Sequence, residues 1–281
     1  IKNLDDVIVV ARTSKTLAFC FVKMQIFSDS IVVFASNEID LFAFLQSSLH
    51  EAWAWKYCTT MKTDLVYTPT NTFETFVIPN VNEAQRNNLI NIGRQYLSSR
   101  KKILQGTRSG LTKTYNYFHS EDIDLKNCEL NDFRHSYLLN LHRQLEKSQS
   151  VLSVEDATSE ISKLRDLHLE MDNAVLEAYG WQDIDLKHDF YEVDYLPENA
   201  RIRFTIHPDA RKEVLKRLLE LNHKIHEEEV TAGLWDKGSK KVKVKRQKKE
   251  ANKVEDPVSL YGQTKLFEEP NLFSQQDKTI A

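Results

Sequence analysis

No two prolines adjoin in this sequence, and none of its seven glycines stands one residue away from another. The first absence removes the Asn/Asp-Pro-Pro-aromatic segment with which an adenine-N6 methyltransferase grips an exocyclic amine. The second removes the Gly-rich turn after a strand that lets backbone approach S-adenosylmethionine or a dinucleotide. No Walker A phosphate loop is present either. Cysteine is scarce: Cys20, Cys58 and Cys128 lie far apart, with no CxxC pair and no Cys/His zinc spacing. They read as buried or incidental thiols of a reducing compartment, and cytoplasmic placement is expected. No apolar run reaches the ~20 residues of a membrane span, so no membrane partner is expected. The first residues show no basic, apolar, small-residue signal. The chain opens on Ile1 already close to a strand-like run, and reads as part of something longer.

Charge of one sign is also missing. The 281 residues carry 38 Lys and Arg against 41 Asp and Glu, a net charge of -3. Near balance neither announces nor excludes a nucleic-acid partner, because only one face of a DNA reader has to be basic. The length suffices for one or two domains.

What is present divides into two characters. Over the first 35 residues, Val7–Val10, Ala18–Val22 and Ile31–Phe34 are short β-branched or aromatic runs with polar breaks between them, which predicts strands. A helix follows, capped by Asn37, with Leu41, Phe42, Leu45, Leu49 and Trp53 at helical spacing. Residues 62–80 read as extended, with Pro69 and Pro79 barring a helix interior or a central strand.

Beyond residue 81 the pattern turns helical. Asn82 caps a helix striped by Leu89, Ile92, Tyr96 and Ile103, with Arg100, Lys101 and Lys102 expected in its last turn and Gly106 just past its end. Further helices are predicted over 131–147, over about 155–179 with Gly180 as stop, and from Pro208 onward with Val214, Leu218, Leu221 and Ile225 as stripe. A hairpin-like pair, 190–193 and 201–204, precedes the last of these. From Trp235 the sequence is Lys-rich and then polar. The long helices at 82–104, 160–179 and 208–230 are expected to pack into one bundle.

Two arrangements resemble chemistry without supporting it. Pro208-Asp209 with Glu213 and Lys216 echoes a metal-dependent nuclease, yet all lie on one predicted helix, where that motif needs adjacent strands. His223 and His226 share a helix face, with Glu227 to Glu229 beside them, but no further ligand set accompanies them. No nucleophile elbow offers a Ser-His-Asp or Cys-His arrangement. The chain is therefore expected to hold no catalytic residue, no metal and no cofactor of its own.

The segment Asp64 to Pro79, in which Tyr67, Phe73 and Phe76 are spaced between Pro69 and Pro79, resembles a recurring block of fused type II restriction-modification enzymes. In that family an adenine-specific DNA methyltransferase domain is followed by a target-recognition domain and C-terminal helices. Phe27 to Ala35 and Leu45 to Ala54 are similar to the part upstream of that block. Gly110 to His119, Leu164 to Trp181, Arg203 to Ile206 and Leu218 to His223 are similar to the parts downstream, in the same order. The resemblance runs over roughly residues 7–235. It departs at Val77-Ile78, where a second Pro-Phe-like pair is expected, and over 120–158, which is longer than usual and reads as an insertion.

The resemblance implies an α+β chain: a β-rich, partial target-recognition piece (1–80), then a mainly helical C-terminal region (81–235), then a disordered basic tail (236–281). It implies double-stranded DNA as partner, together with a methyltransferase or nuclease domain upstream or on another chain. S-adenosylmethionine is implied for the full-length enzyme, with the catalytic motifs before Ile1. A helical protein-interaction module with no DNA role is the alternative from another class.

Candidate DNA contacts follow from position. Arg12, Lys15, Lys23 and Lys62, with Thr68, Thr70 and Asn71, lie in or beside the predicted turns of the front piece. Long basic side chains reach phosphates or guanine edges, and short polar ones reach phosphates. The run of Lys237, Lys240, Lys241, Lys243, Lys245, Arg246, Lys248, Lys249 and Lys253 would add sequence-independent affinity or serve as a solvated tail. Tyr67, Phe73, Phe76 and Tyr115 are read as core aromatics ahead of base-stacking ones.

Overall fold

The structure, a computed structural model, describes residues 4–123, 136–150 and 152–234. The expected basic tail, 236–281, lies outside the described residues with all of its lysines.

The apolar run near the start forms β1 (Asp6–Ala11), and its four inner residues, Val7 to Val10, are all buried. A strand apolar on both faces belongs in the middle of a sheet. β1 accordingly lies between β3 (Cys20–Lys23) and β4 (Ile31–Phe34), antiparallel to both. Past Arg12 the chain continues as β2 (Thr13–Ser14) in a second small sheet of order β2-β6-β5, where β5 (Thr59–Met61) and β6 (Asp64–Val66) form a hairpin. Both sheets are open and neither closes into a barrel.

Between the strands lie two helices where the periodicity predicted one. α1 (Ile39–Gln46) stops at Ser47, whose backbone is extended, and α2 (Ser48–Tyr57) starts there, with the Ser47 hydroxyl accepting the His50 N–H. A serine at this point satisfies an orphan N–H of the new helix, so the break costs little. The expected cap Asn37 takes no part; Glu38 holds the N-cap position without a side-chain bond.

The stretch read as extended is not fully so. Pro69 opens a single helical turn, α3 (Pro69–Thr72), with Phe73 N–H returning to Pro69 O at 2.8 Å. Proline disrupts a helix interior but suits the first position, where its missing N–H is not needed. Tyr67 and Phe76 are buried in the core, as expected of core aromatics.

α4 (Glu83–Thr107) begins with a capping box between Asn82 and Gln85. It runs past its expected end: Gly106 lies within it, and Arg108 takes the left-handed cap conformation at φ 44°. Gly106 is occupied from outside, because the Leu152 side chain fills the space a Cβ would need. Arg100 is therefore mid-helix and buried, not in the last turn.

α5 (Leu111–Phe118) and α6 (Ser136–Ser148) follow, then α7 (Val154–Tyr179), started by a Ser153–Asp156 capping box and stopped by Gly180 at φ 73°. The hairpin of β7 (Asp189–Glu192) and β8 (Ile202–Thr205) leads into α8 (Pro208–Thr231), whose first turn is capped by the His207 ring accepting the Asp209 N–H.

α4 and α7 are the main helical pair, and α1 packs across α4 at Gly93, where a Cβ would stand 2.7 Å from Ile39 Cγ2. α8 does not complete that pair into the expected bundle; its principal helical neighbour is α2. Leu167, Met171 and Leu218 are buried and Leu221 is half-buried. One continuous apolar core runs from Ile8 and Phe19 through Tyr96, Ile161 and Met171 to Val214. Among the described residues no helix is long and apolar enough to cross a membrane.

Candidate nucleic-acid interface

Arg12 is the joint between the two sheets. Its N–H donates to Ser30 O at 2.8 Å and its C=O accepts from the Tyr67 N–H at 2.7 Å. The β3–β4 loop and the end of β6 thus clamp its backbone. Its side chain is exposed and rests on that loop, Nε donating to Asp29 O at 2.6 Å. A guanidinium placed this way has a fixed root and donors left over for a phosphate or a guanine edge.

Register decides which other candidates join it. Thr13 faces Val66 and Ser14 faces Leu65, while Met61 faces Asp64 across the hairpin. Lys15 and Lys62 therefore emerge at one end of the second sheet, and Arg12 and Thr68 at the other, roughly 10 Å away along β6. Lys62 sits in the β5–β6 turn at φ 59°, and both lysines are exposed. Lys15 is set by a serine turn, the Ser14 hydroxyl bonding both the C=O and the N–H of Thr16.

Thr68, Thr70 and Asn71 cluster on α3. The Thr68 hydroxyl is used internally, donating to Val66 O, whereas Thr70 is exposed and donates to Asn71 Oδ1 at 3.5 Å. Lys23 is separated from all of these. It pairs with Asp6 at the far end of β1, about 20 Å of strand from Arg12. Among the described residues Arg12, Lys15 and Lys62 make no ion pair, so their charge is available to an anion.

The front piece is held to the helices by buried polar groups that sequence reasoning did not single out. Arg100 of α4 reaches across to Phe19 O at 2.7 Å and Tyr115 OH at 2.9 Å, with its guanidinium over the Phe42 and Tyr96 rings. Gln46 completes the grip, accepting the Phe19 N–H and donating to Leu17 O. Within the helical part itself, Arg165 of α7 donates to the carbonyls of Tyr117, Phe118 and Ser120 at the end of α5, where a cation is favoured by the helix dipole. Arg203 of β8 donates to Thr16 Oγ1 at 2.6 Å, just past Lys15. Only their long-range partners explain these burials.

A second cluster joins Ser48, His168, Asp172 and His188. Asp172 Oδ1 accepts the Ser48 N–H at 2.8 Å, and Oδ2 lies 2.7 Å from His188 Nε2. Burial alone would raise the Asp172 pKa, but His168, His188 and Ser48 together hold it below its usual value. Burial lowers the pKa of His168. The composition suggests a hydrolase triad, but the geometry does not allow one. The Ser48 hydroxyl and the Asp172 carboxylate both address Nε2 of His168, at 3.0 and 3.6 Å, so no second ring nitrogen links base to acid. All three side chains are also closed to solvent. The cluster fastens α2 to α7 and to the β7 hairpin.

Among the described residues no group of His, Cys, Asp and Glu is arranged to hold a metal ion. Asp209 and Glu213, on one helix, pair with Lys212 and Arg217. Gly93 and Gly106 are inside α4, Gly110 precedes α5 and Gly180 closes α7, so none of these four forms a turn after a strand.

Residues 6–80 match the family model described as MmeI, target recognition domain. The match begins on β1 and ends just before the α4 cap, so it takes in both sheets, α1 to α3 and every candidate contact named above. The resemblance to a restriction-modification target-recognition domain is shown over these residues. Among solved structures, the chain is similar to the Type IIL restriction-modification enzyme MmeI in complex with DNA, with a TM-score of 0.46 and 16% identity over 79% of this chain and 21% of that one. The chain thus spans about a fifth of that enzyme's length. No curated protein matches.

Proposed function

We propose that this chain is the DNA-reading and scaffolding portion of a restriction-modification adenine-N6 methyltransferase. In this reading residues 6–80 read the site, and the helices after them hold the reading surface in place. The observation that carries it is the match of residues 6–80 to a target-recognition domain. The geometry is compatible with it. Arg12 has a clamped backbone and unpaired donors, Thr70 and Asn71 stand on the neighbouring α3, and Lys15 and Lys62 flank the other end of the same small sheet. Arg12 would supply base or phosphate contacts, and the lysines phosphate contacts. Lys23 is the weakest member of the set, because the register of β1 and β3 carries it away from the rest.

Methyl transfer, and any cleavage, would be supplied by a domain upstream or on another chain, which would also bind S-adenosylmethionine. That domain and double-stranded DNA are the partners this reading assigns, and it places the enzyme in bacterial defence in the cytoplasm.

The test is selection from a pool of randomised duplexes. The full chain should enrich one short motif, and Arg12→Ala should lose or relax that enrichment at one position or more. A pool left unenriched would remove the DNA-reading role and leave the helical interaction module as the better account.

A further inference from the structure

We propose that the groove between α5 and α6 is a second DNA contact, one that grips backbone phosphates without reading sequence. The inference rests on the DNA-binding role above and extends it to residues outside the recognition match.

α5 and α6 lie side by side and enclose a groove of ≈ 320 Å³. Lys113 and Tyr117 face it from α5, and Tyr137, Arg143, Gln144 and Lys147 from α6. Lys113 and Tyr117 are four residues apart, and Arg143 and Gln144 lie four and three residues from Lys147, so each group shares a helix face. Among its described lining residues the charge has one sign. Lys113, Arg143 and Lys147 are exposed, none makes an ion pair among the described residues, and no carboxylate is among the described lining residues. The nearest acid on α6, Glu146, is engaged by His142 at 3.6 Å. In a chain whose net charge is -3, such a concentration of unpaired cations is a local feature, not a reflection of composition.

One of the cations, Lys113, is also positioned. Gln144 bridges the groove, its Oε1 accepting from Lys113 Nζ at 3.0 Å and its Nε2 donating to Thr107 O at 3.0 Å. Lys113 is thereby held toward α6, where Arg143 and Lys147 are one helical turn apart on the same face. Tyr117 is buried beneath them and gives the groove a firm floor. An open channel rimmed by separate cations suits an extended polyanion better than a compact apolar ligand.

The occupant this charge fits is a duplex backbone, the extended polyanion that a chain matching a target-recognition domain over residues 6–80 would meet.

The experiment compares the full chain with a Lys113→Gln, Arg143→Gln, Lys147→Gln variant, titrating each with a labelled duplex of mixed sequence over a range of salt. All three positions are exposed, and an unchanged far-UV spectrum and melting temperature check that the variant folds. The expected result is a salt slope smaller by about 2.7, at about 0.9 per phosphate contact, and affinity at low salt reduced at least about tenfold. Preference among sequences should be unchanged. The conservative variant Lys113→Arg, Arg143→Lys, Lys147→Arg should keep the wild-type slope. Wild-type slope and affinity in the Gln variant would overturn this inference alone. Loss of poly-glutamate binding with DNA binding intact would overturn it in favour of an acidic protein partner. A wild-type chain that binds no duplex would overturn it together with the DNA-reading role.

Discussion

Nε2 of His188 lies 2.7 Å from Oδ2 of Asp172, and both side chains are shut off from solvent. This contact joins the hairpin after α7 to α7 itself, while the other oxygen of Asp172 holds the first turn of α2 through Ser48. One carboxylate thus ties together pieces far apart in the chain. Asp172→Ala should strip several buried partners at once and cost about 3 to 5 kcal/mol of stability. Urea unfolding measures this directly, and a loss below about 1 kcal/mol would show that the cluster is not a fastening.

Acid should weaken the fold by a predictable route. Burial depresses the pKa of His50 from 6.5 to about 4, against the opposing pull of its bond to Leu45 O. The unfolded chain then takes up a proton in a range where the folded chain does not. Stability should fall as pH drops from 6.5 to about 4, by on the order of 3 kcal/mol from this residue. His119 and His168, also lowered by burial, add to the same slope. Asp172 acts lower down: its stabilisation is present above the unfolded carboxylate value and is lost as pH falls through its depressed folded value. Melting temperature against pH should therefore decline below 6.5, less steeply in His50→Gln. A flat profile over that range would contradict the burial of a neutral His50.

Leu218 and Leu221 belong to the same predicted stripe on α8, but only Leu218 is fully covered, at 1% exposure. Leu218→Ala should cost about 2 to 5 kcal/mol and Leu221→Ala clearly less. Equal costs would mean that α8 packs on a different face from the one seen against α2.

These cases show what the sequence made legible. The long helices were readable because caps and stripes are local: Asn82, Ser153, Gly180 and Pro208 mark their ends within a few residues. Strands β1, β3 and β4 were readable from short β-branched or aromatic runs. The break at Ser47 was hidden by an apolar pattern that continues through it, and the α3 turn by reading Pro69 only as a helix breaker. Gly106 reads as a stop signal because nothing local reveals that Leu152 covers it. At the candidate interface, position in a turn identified Arg12 and Lys62, but the register of β1 with β3 was needed to separate Lys23 from them. The burial of Arg100, Arg165 and Arg203, like the Asp172 cluster, depends on partners brought in from other elements, and no periodicity reports that.

The most direct measurement of the central claim is the ratio of affinities for the enriched duplex and a scrambled one, at fixed salt, in the wild-type chain and in Arg12→Ala. The ratio cancels sequence-independent phosphate attraction and leaves reading alone. A wild-type ratio well above one, falling roughly tenfold or more in Arg12→Ala while the melting temperature holds, is the predicted result, since a lost base contact is worth about 1 to 3 kcal/mol. A ratio of one in the wild-type chain, or one that Arg12→Ala leaves untouched, would contradict the assignment of DNA reading to this surface.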